Sequence, residues 1–234
     1  MSGGSTRLVA LLGQPVAESL SPRMQNAAFA ARGLDWAYLL MDVAPADLSK
    51  AVGGLVADGF AGANVTIPHK QAVVELCDEA DGPSVNTLVI RDGRVLGHNT
   101  DKEIVAGIEA RGVCLIGAGG AAEALLPALP GKVEVFSRSG RWPPDASRAD
   151  LIVNATPIRD EVIVQPRREQ SVVDLAYYPD GRRTALVEAA RAAGCPVVVD
   201  GLEALVRQGA ASFELWTGME APVSEMRAAL GLEP

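Results

Sequence analysis

Residues 113–122 read VCLIGAGGAA, an apolar run that opens directly into a G-x-G-x-x-A turn and then into an Ala- and Leu-rich stretch. Such a turn suits a pyrophosphate. Gly117 permits the tight bend, Gly119 lets the backbone approach phosphate oxygens, and small Ala122 lets the following helix pack closely on the strand. The start of that helix then offers free N–H groups to negative charge, and Gly117, Ala118, Gly119, Gly120 and Ala121 are the expected cofactor-binding residues of the turn. A plain glycine-rich connection could look alike, but strand, turn, helix and next strand follow in register here, which favours a dinucleotide. About twenty residues after the first glycine, an NAD site usually carries Asp or Glu for the ribose 2′-hydroxyl. This chain has Ser137-Arg138-Ser139 there instead. Arg138 can pair with a 2′-phosphate and the serines can hydrogen-bond it, so NADP is expected rather than NAD.

Holding such a turn requires a parallel sheet, and the rest of the chain reads that way. Strands are expected over residues 8–12, 37–43, 63–66, 113–116, 133–136, 151–154, 172–175 and 196–199, separated by helix-like segments. This is the alternation of an α/β protein with mostly parallel sheets. Ser21-Pro22 reads as an N-cap and first-turn proline for a helix ending by Gly33, and Pro45 starts another. Asp92-Gly93 between two short apolar runs predicts a β-hairpin. A helix is expected over 101–111, and two closing helices over 202–216 and 222–230. A boundary just before Gly112 divides the chain into two domains with a cleft between them, a common place for ligands.

Composition narrows the partners. With 21 Lys plus Arg against 29 Asp plus Glu, the net charge of −8 provides no electrostatic footprint for nucleic acid. Two histidines, His69 and His98, argue against a zinc site, and no metal is expected. Three cysteines without close pairing read as buried small hydrophobes in a reducing compartment. No apolar run reaches the ~18 residues of a membrane span, and the N-terminus lacks a signal-peptide core. A soluble, cytoplasmic protein is the expectation.

Three further segments, residues 13–26 (GQPVAESLSPRMQN), 64–70 (NVTIPHK) and 99–101 (NTD), closely resemble the signature segments of shikimate dehydrogenase. So do 85–87 (VNT), 154–157 (NATP), 174–179 (DLAYYP) and 208–218 (QGAASFELWTG), all in family order. The resemblance implies NADP-dependent reduction of 3-dehydroshikimate to shikimate, the fourth step of aromatic amino-acid (chorismate) biosynthesis. It also implies a substrate domain of residues 1–101 plus 217–234 and a Rossmann-type nucleotide domain of 102–216. Lys70 and Asp101 match the family's catalytic pair. Ser19 and Ser21 match the hydroxyls that hold the substrate carboxylate, and Asn64, Thr66, Asn86 and Gln208 match the other substrate-contacting positions. Tyr177 and Gly201 fall near the carboxylate and the nicotinamide, with Thr156 in a segment that faces the cofactor. The implied partners are small molecules, in a monomer or homodimer.

The chemistry is coherent without the family. Hydride transfer to a ketone builds negative charge on oxygen, so the site needs a proton donor and no competing water. A lysine ammonium can give that proton, a nearby carboxylate can orient it, and two serines at i and i+2 before a helix can donate to a carboxylate. Some positions depart from the family pattern: Gln25 for a usual His, Pro83-Ser84 for Gly-Ala, Lys102 for Gly, and Arg159-Asp160 and Glu203-Ala204 for Gly-Met pairs. Only fifteen residues separate Asp101 from Gly117, a shorter lead-in than is usual. These departures keep two alternatives open, a quinate or aminoshikimate dehydrogenase of the same family and a non-catalytic dinucleotide-binding relative. The nucleotide domain is expected to carry most of the trimming.

Overall fold

The computed structural model describes residues 6–233, which form two compact units, residues 6–100 with 208–233 and residues 101–207. Each is an α/β layer structure around its own sheet. In the first unit, β1 (Arg7–Gly13) pairs in parallel with β2 (Trp36–Asp42) on one side and β3 (Gly62–Val65) on the other. The connecting helices are α1 (Ser21–Ala31) and α2 (Leu48–Ala57). The sheet then turns antiparallel through β5 (Thr87–Arg91) and β6 (Arg94–His98) and ends on the two-residue β4 (Glu79–Ala80), giving the order β2-β1-β3-β5-β6-β4. Asp92 and Gly93 both take positive φ, 53° and 75°, as the expected hairpin turn requires.

The second unit is an all-parallel sheet in the order β11-β10-β9-β7-β8, built from β7 (Gly112–Ile116), β8 (Lys132–Phe136), β9 (Leu151–Asn154), β10 (Ser171–Asp174) and β11 (Val198–Val199). Strand order reverses between β7 and β9, the switch point at which open α/β sheets bind ligands beyond the strands' carboxyl ends. Helices α3 (Gly120–Leu125) and α4 (Ala185–Ala193) flank this sheet. The crossovers 137–150 and 155–170 contain no helix, so loop residues cover the sheet face: Ala146, Ala149, Ile163 and Val164 pack on Cys114, Ile116, Ile152 and Val172. Buried Gln170 fastens one loop, its Nε2 donating to the carbonyls of Ala146 and Ala149, each at 2.8 Å, while its Oε1 accepts from the Arg167 amide.

Several expectations need correction. The 101–111 helix is a short 3₁₀ turn, Asp101–Ile104, because Gly107 takes φ +75° and breaks any continuation. Ser21 is the first helical residue rather than the N-cap; Ser19 Oγ, two residues upstream, accepts its amide at 3.3 Å. Helix α5 (Gly201–Thr217) divides between the units at 207/208 rather than lying wholly in the second. Its last three turns belong to the first unit because Phe213 stacks on Phe29, with centroids 5.6 Å apart, and Trp216 Nε1 donates to the Leu88 carbonyl at 2.9 Å. Helix α6 (Val223–Ala229) closes that unit by packing on α1.

Gln170→Leu would take the Nε2 donor from the Ala149 carbonyl inside the packed layer, while the Ala146 carbonyl keeps the Ala149 amide at 3.2 Å and the Arg167 guanidinium at 3.3 Å. Leaving a buried polar group unpaired costs about 1–3 kcal/mol. Urea denaturation of the variant is expected to show a loss of about 1–3 kcal/mol with unchanged cooperativity.

Candidate active site

Gly13 ends β1 where a side chain would not fit: a Cβ there would overlap Thr66 Cγ2 and stand 3.1 Å from the Ile67 carbonyl oxygen. This close approach brings the loop that carries Ser19 and leads into α1 at Ser21 against the loop carrying Thr66 and Lys70. The second loop is held again by His69, whose buried Nε2 lies 2.7 Å from the Val43 carbonyl oxygen. Since a carbonyl only accepts, that nitrogen carries the proton. Half-buried Lys70 follows, and its carbonyl accepts the Val85 amide at 2.8 Å. His98 has a separate partner, Asp81, at 3.4 Å.

Beneath these loops lies a buried polar network. Ser19 donates to Ser21 at 3.2 Å, and Tyr38, which hydrogen-bonds Ser21, donates to Asn64 Oδ1 at 2.8 Å. Burial pushes the Tyr38 phenol well above its ordinary range, only partly offset by the Ser21 bond, so it remains a neutral donor. Asn64 Nδ2 reaches the Asn86 carbonyl at 3.1 Å, Ser212 Oγ at 3.0 Å and Thr87 Oγ1 at 3.1 Å. Asn86 Oδ1 accepts from the Thr100 amide at 2.8 Å and its hydroxyl at 3.1 Å, fixing the residue that precedes Asp101. Ser212 Oγ donates to the Gln208 carbonyl at 3.0 Å. The Gln208–Gly209 stretch is also gripped by Gln25, whose Nε2 donates to the Gly209 carbonyl at 2.9 Å. Ser19, Ser21, Asn64, Asn86 and the backbone of Gln208 therefore share one network. Tyr38, Thr87, Thr100 and Ser212 complete it, although the sequence reading assigned them no site role. The two threonines and Ser212 stood inside the motif segments; Tyr38 had no local signal.

In the second unit the remaining candidates follow the strand order along the carboxyl edge. Ser137, Arg138 and Ser139 follow β8; the two serine hydroxyls are 3.3 Å apart, and the exposed Arg138 guanidinium lies 5.7 Å from the Trp142 ring centroid. Gly117 follows β7 at φ +117°, and its amide donates to the Phe136 carbonyl at 2.8 Å. A Cβ on Gly117 would come within 3.0 Å of the Ala155 carbonyl oxygen and 3.3 Å of Thr156 Cγ2, while nothing lies within 4 Å of the corresponding point on Gly119. The turn is thus pinned against Thr156 on one side and open on the other, which fits a bound pyrophosphate. Ala118 and Gly119 are exposed, with Gly120 and Ala121 half-buried. Thr156 is set by Asn154, whose Oδ1 accepts its amide at 3.0 Å and its hydroxyl at 2.6 Å. Gly201, capped by Asp200, meets the turn after β10, where a Cβ would come 2.5 Å from the Ala176 carbonyl oxygen, next to Tyr177. Arg159 and Asp160 form a cluster with Tyr178, whose hydroxyl donates to Asp160 and whose ring faces the Arg159 and Arg182 guanidinium groups. Among the described residues no group of three or more His, Cys, Asp or Glu stands together as a metal site, and no helix is long and apolar enough to cross a membrane.

Residues 11–87 match the family model described as the shikimate dehydrogenase substrate binding domain, and residues 201–230 the one described as the shikimate 5′-dehydrogenase C-terminal domain. The shikimate dehydrogenase (NADP(+)) of Moorella thermoacetica is 40% identical over 273 aligned positions, covering 95% of this chain and 92% of that protein. The chain belongs to the shikimate dehydrogenase family. Its fold agrees: a shikimate dehydrogenase in complex with NADP+ superposes with a TM-score of 0.84 at 32% identity, covering 96% of this chain and 94% of that one. The Thermus thermophilus enzyme in complex with NADP(H) and shikimate gives 0.82 at 31% identity, covering 96% and 98%. The alignment to the Moorella shikimate dehydrogenase is longer than this 234-residue chain, so that relative has internal segments without a counterpart here. Residues 88–200, outside both family-model matches, contain the helix-less crossovers.

Asn154 is itself anchored by Asp174, which accepts from Asn154 Nδ2 at 2.8 Å, from the Ala176 amide at 3.1 Å and from the hydroxyl of Thr184, the N-cap of α4. Burial raises the Asp174 carboxyl above the ordinary aspartate range, against the lowering effect of these donors. The folded carboxyl therefore keeps its proton to higher pH than the unfolded one. Its contribution to stability is complete below the unfolded value and is lost as pH rises through the folded one. Stability measured by urea across this interval is expected to fall with pH more steeply in the wild type than in Asp174→Asn; parallel curves would contradict it.

Proposed function

We propose that this protein catalyses the NADP-dependent, reversible reduction of 3-dehydroshikimate to shikimate, the step that leads toward chorismate and the aromatic amino acids. The observation that carries the reading is the gathering of Ser19, Ser21, Asn64, Asn86 and Gln208 on one buried network, in the unit that includes the substrate-binding match. NADPH supplies the hydride when bound. It would be held by the turn Gly117, Ala118, Gly119, Gly120 and Ala121, by Ser137, Arg138 and Ser139 at the 2′-phosphate, and by Thr156 and Gly201 further along the edge.

The chain's own residues supply binding and the proton. Ser19 and Ser21 present hydroxyls at the start of α1, where the helix dipole favours the substrate carboxylate, with Tyr177 as a further contact. Asn64 spends its N–H groups within the protein and offers a substrate hydroxyl only the spare acceptor capacity of Oδ1. Thr66, Asn86 and Gln208 add contacts to the ring hydroxyls. As the carbonyl oxygen gains charge, the Lys70 ammonium gives it a proton; in the reverse direction, neutral Lys70 removes the proton from the alcohol. The Asp101 carboxylate orients the ammonium and accepts from the neighbouring hydroxyl. Both ligands of the reaction are small molecules, and the reading needs neither nucleic acid nor metal.

Steady-state shikimate oxidation tests these roles. Lys70→Ala is expected to lower kcat by about 10²–10⁴-fold, the usual contribution of a positioned acid–base group, with a much smaller change in KM. An unchanged kcat would remove Lys70 from the mechanism. Arg138→Ala should weaken NADP+ by roughly tenfold or more, the scale of a charge-assisted hydrogen bond, and leave NAD+ unaffected. An equal loss for both cofactors would contradict a 2′-phosphate contact.

A further inference from the structure

Ser212 is fully buried, and its one hydroxyl lies within reach of four partners in the first unit. These are Asn64 Nδ2 at 3.0 Å, Thr87 Oγ1 at 2.8 Å, Thr100 Oγ1 at 3.3 Å and the Gln208 carbonyl at 3.0 Å. A hydroxyl has one proton and two lone pairs, so the partners cannot all be served equally. With its single proton Ser212 donates to the Gln208 carbonyl one helical turn back and accepts from Asn64 Nδ2. Thr87 Oγ1 stands within reach of both Ser212 Oγ, at 2.8 Å, and Asn86 Oδ1, at 3.1 Å, where the Thr100 amide and hydroxyl also arrive. In this arrangement Asn64 Nδ2 divides its protons between Ser212 and the Asn86 carbonyl, and its carboxamide has a single orientation, with Oδ1 toward Tyr38.

We infer that Ser212 is a positioning residue for the reaction: one hydroxyl on α5 takes the second Asn64 N–H, beside the one held by the Asn86 carbonyl, and so holds the carboxamide in its orientation and ties the Gln208 turn to the Asn86–Thr87 segment at the start of β5. The inference rests on the assignment of Asn64 and Gln208 to the substrate. Without the hydroxyl, the Asn64 amide turns toward Thr87 Oγ1, already only 3.1 Å away, and its acceptor leaves the direction in which a substrate hydroxyl meets it. The α5 turn keeps its main-chain bonds, so the fold survives while substrate geometry does not.

The test compares the wild type with Ser212→Ala, Ser212→Thr and Thr87→Val in the full-length protein. It measures shikimate kcat and KM, NADP+ affinity by fluorescence titration, and the urea midpoint. Ser212→Ala is expected to lower kcat/KM for shikimate by about tenfold, the scale of one misplaced hydrogen bond, with NADP+ affinity within about twofold of wild type. Ser212→Thr, which keeps the hydroxyl, is expected to recover most of that loss. Thr87→Val, which removes one partner and leaves Ser212 in place, is expected to move the same parameter in the same direction and serves if Ser212→Ala fails to fold. Unchanged shikimate kinetics in Ser212→Ala, or shikimate and NADP+ binding weakened in parallel, would overturn the inference. A wild-type protein without turnover of shikimate would instead overturn the functional reading on which it rests.

Discussion

A carboxamide sealed inside a protein must find partners for its donors and its acceptor, because each orphaned group costs as much as several good contacts provide. Asn64, only 6% exposed at the core of the first sheet, imposes that constraint on its surroundings. Its oxygen requires the Tyr38 hydroxyl from β2, and its N–H groups require the Asn86 carbonyl ahead of β5 and a hydroxyl from α5. Meeting these demands brings a helix encoded near the C-terminus onto a sheet encoded near the N-terminus. The apolar contacts around it, Phe213 on Phe29 and Trp216 beside Tyr38, supply adhesion, while the amide fixes the alignment.

The second unit solves a related problem with a carboxylate. Asp174 binds the side chain of Asn154, the Ala176 amide and the cap of α4, and so sets the turns after β9 and β10. The glycine turn after β7 is seated against Thr156, and Gly201 against Ala176. The residues expected to touch a dinucleotide thus lie in strand order along one edge. The helix-less crossovers 137–150 and 155–170 leave this edge intact, because the edge depends on strand ends and their hydrogen bonds. The helix-less crossover 137–150 is fastened instead by Gln170.

Much of this was legible in the sequence, and the pattern of what was not has a physical basis. Strands, the Asp92-Gly93 hairpin and the glycine turn are local features, written in alternation, apolar runs and residues that tolerate positive φ. The motif positions around Ser19, Asn64, Asn86 and Gln208 were also visible, but the hydroxyls that hold them were not. Asn64 and Ser212 are 148 residues apart, and although Ser212 stands inside the 208–218 motif segment, no local feature pairs its hydroxyl with Asn64. The 101–111 helix failed because Gly107 enters the left-handed region, which the apolar spacing of Ile104, Val105 and Ile108 conceals. The boundary within α5 was misplaced because the tertiary partners of Phe213 and Trp216 decide it, and helical periodicity does not.

The proposed reaction needs two small-molecule subsites, one for a carboxylate polyol and one for a 2′-phosphorylated dinucleotide. Initial rates of the wild-type protein with shikimate or quinate, each crossed with NADP+ or NAD+, test it most directly. A site built on buried hydrogen bonds rejects a mismatched hydroxyl pattern by orders of magnitude. Shikimate with NADP+ is therefore predicted to give the highest kcat/KM of the four pairings by a wide margin. Preference for quinate or for NAD+, or binding of NADP+ without turnover of either acid, would contradict the account.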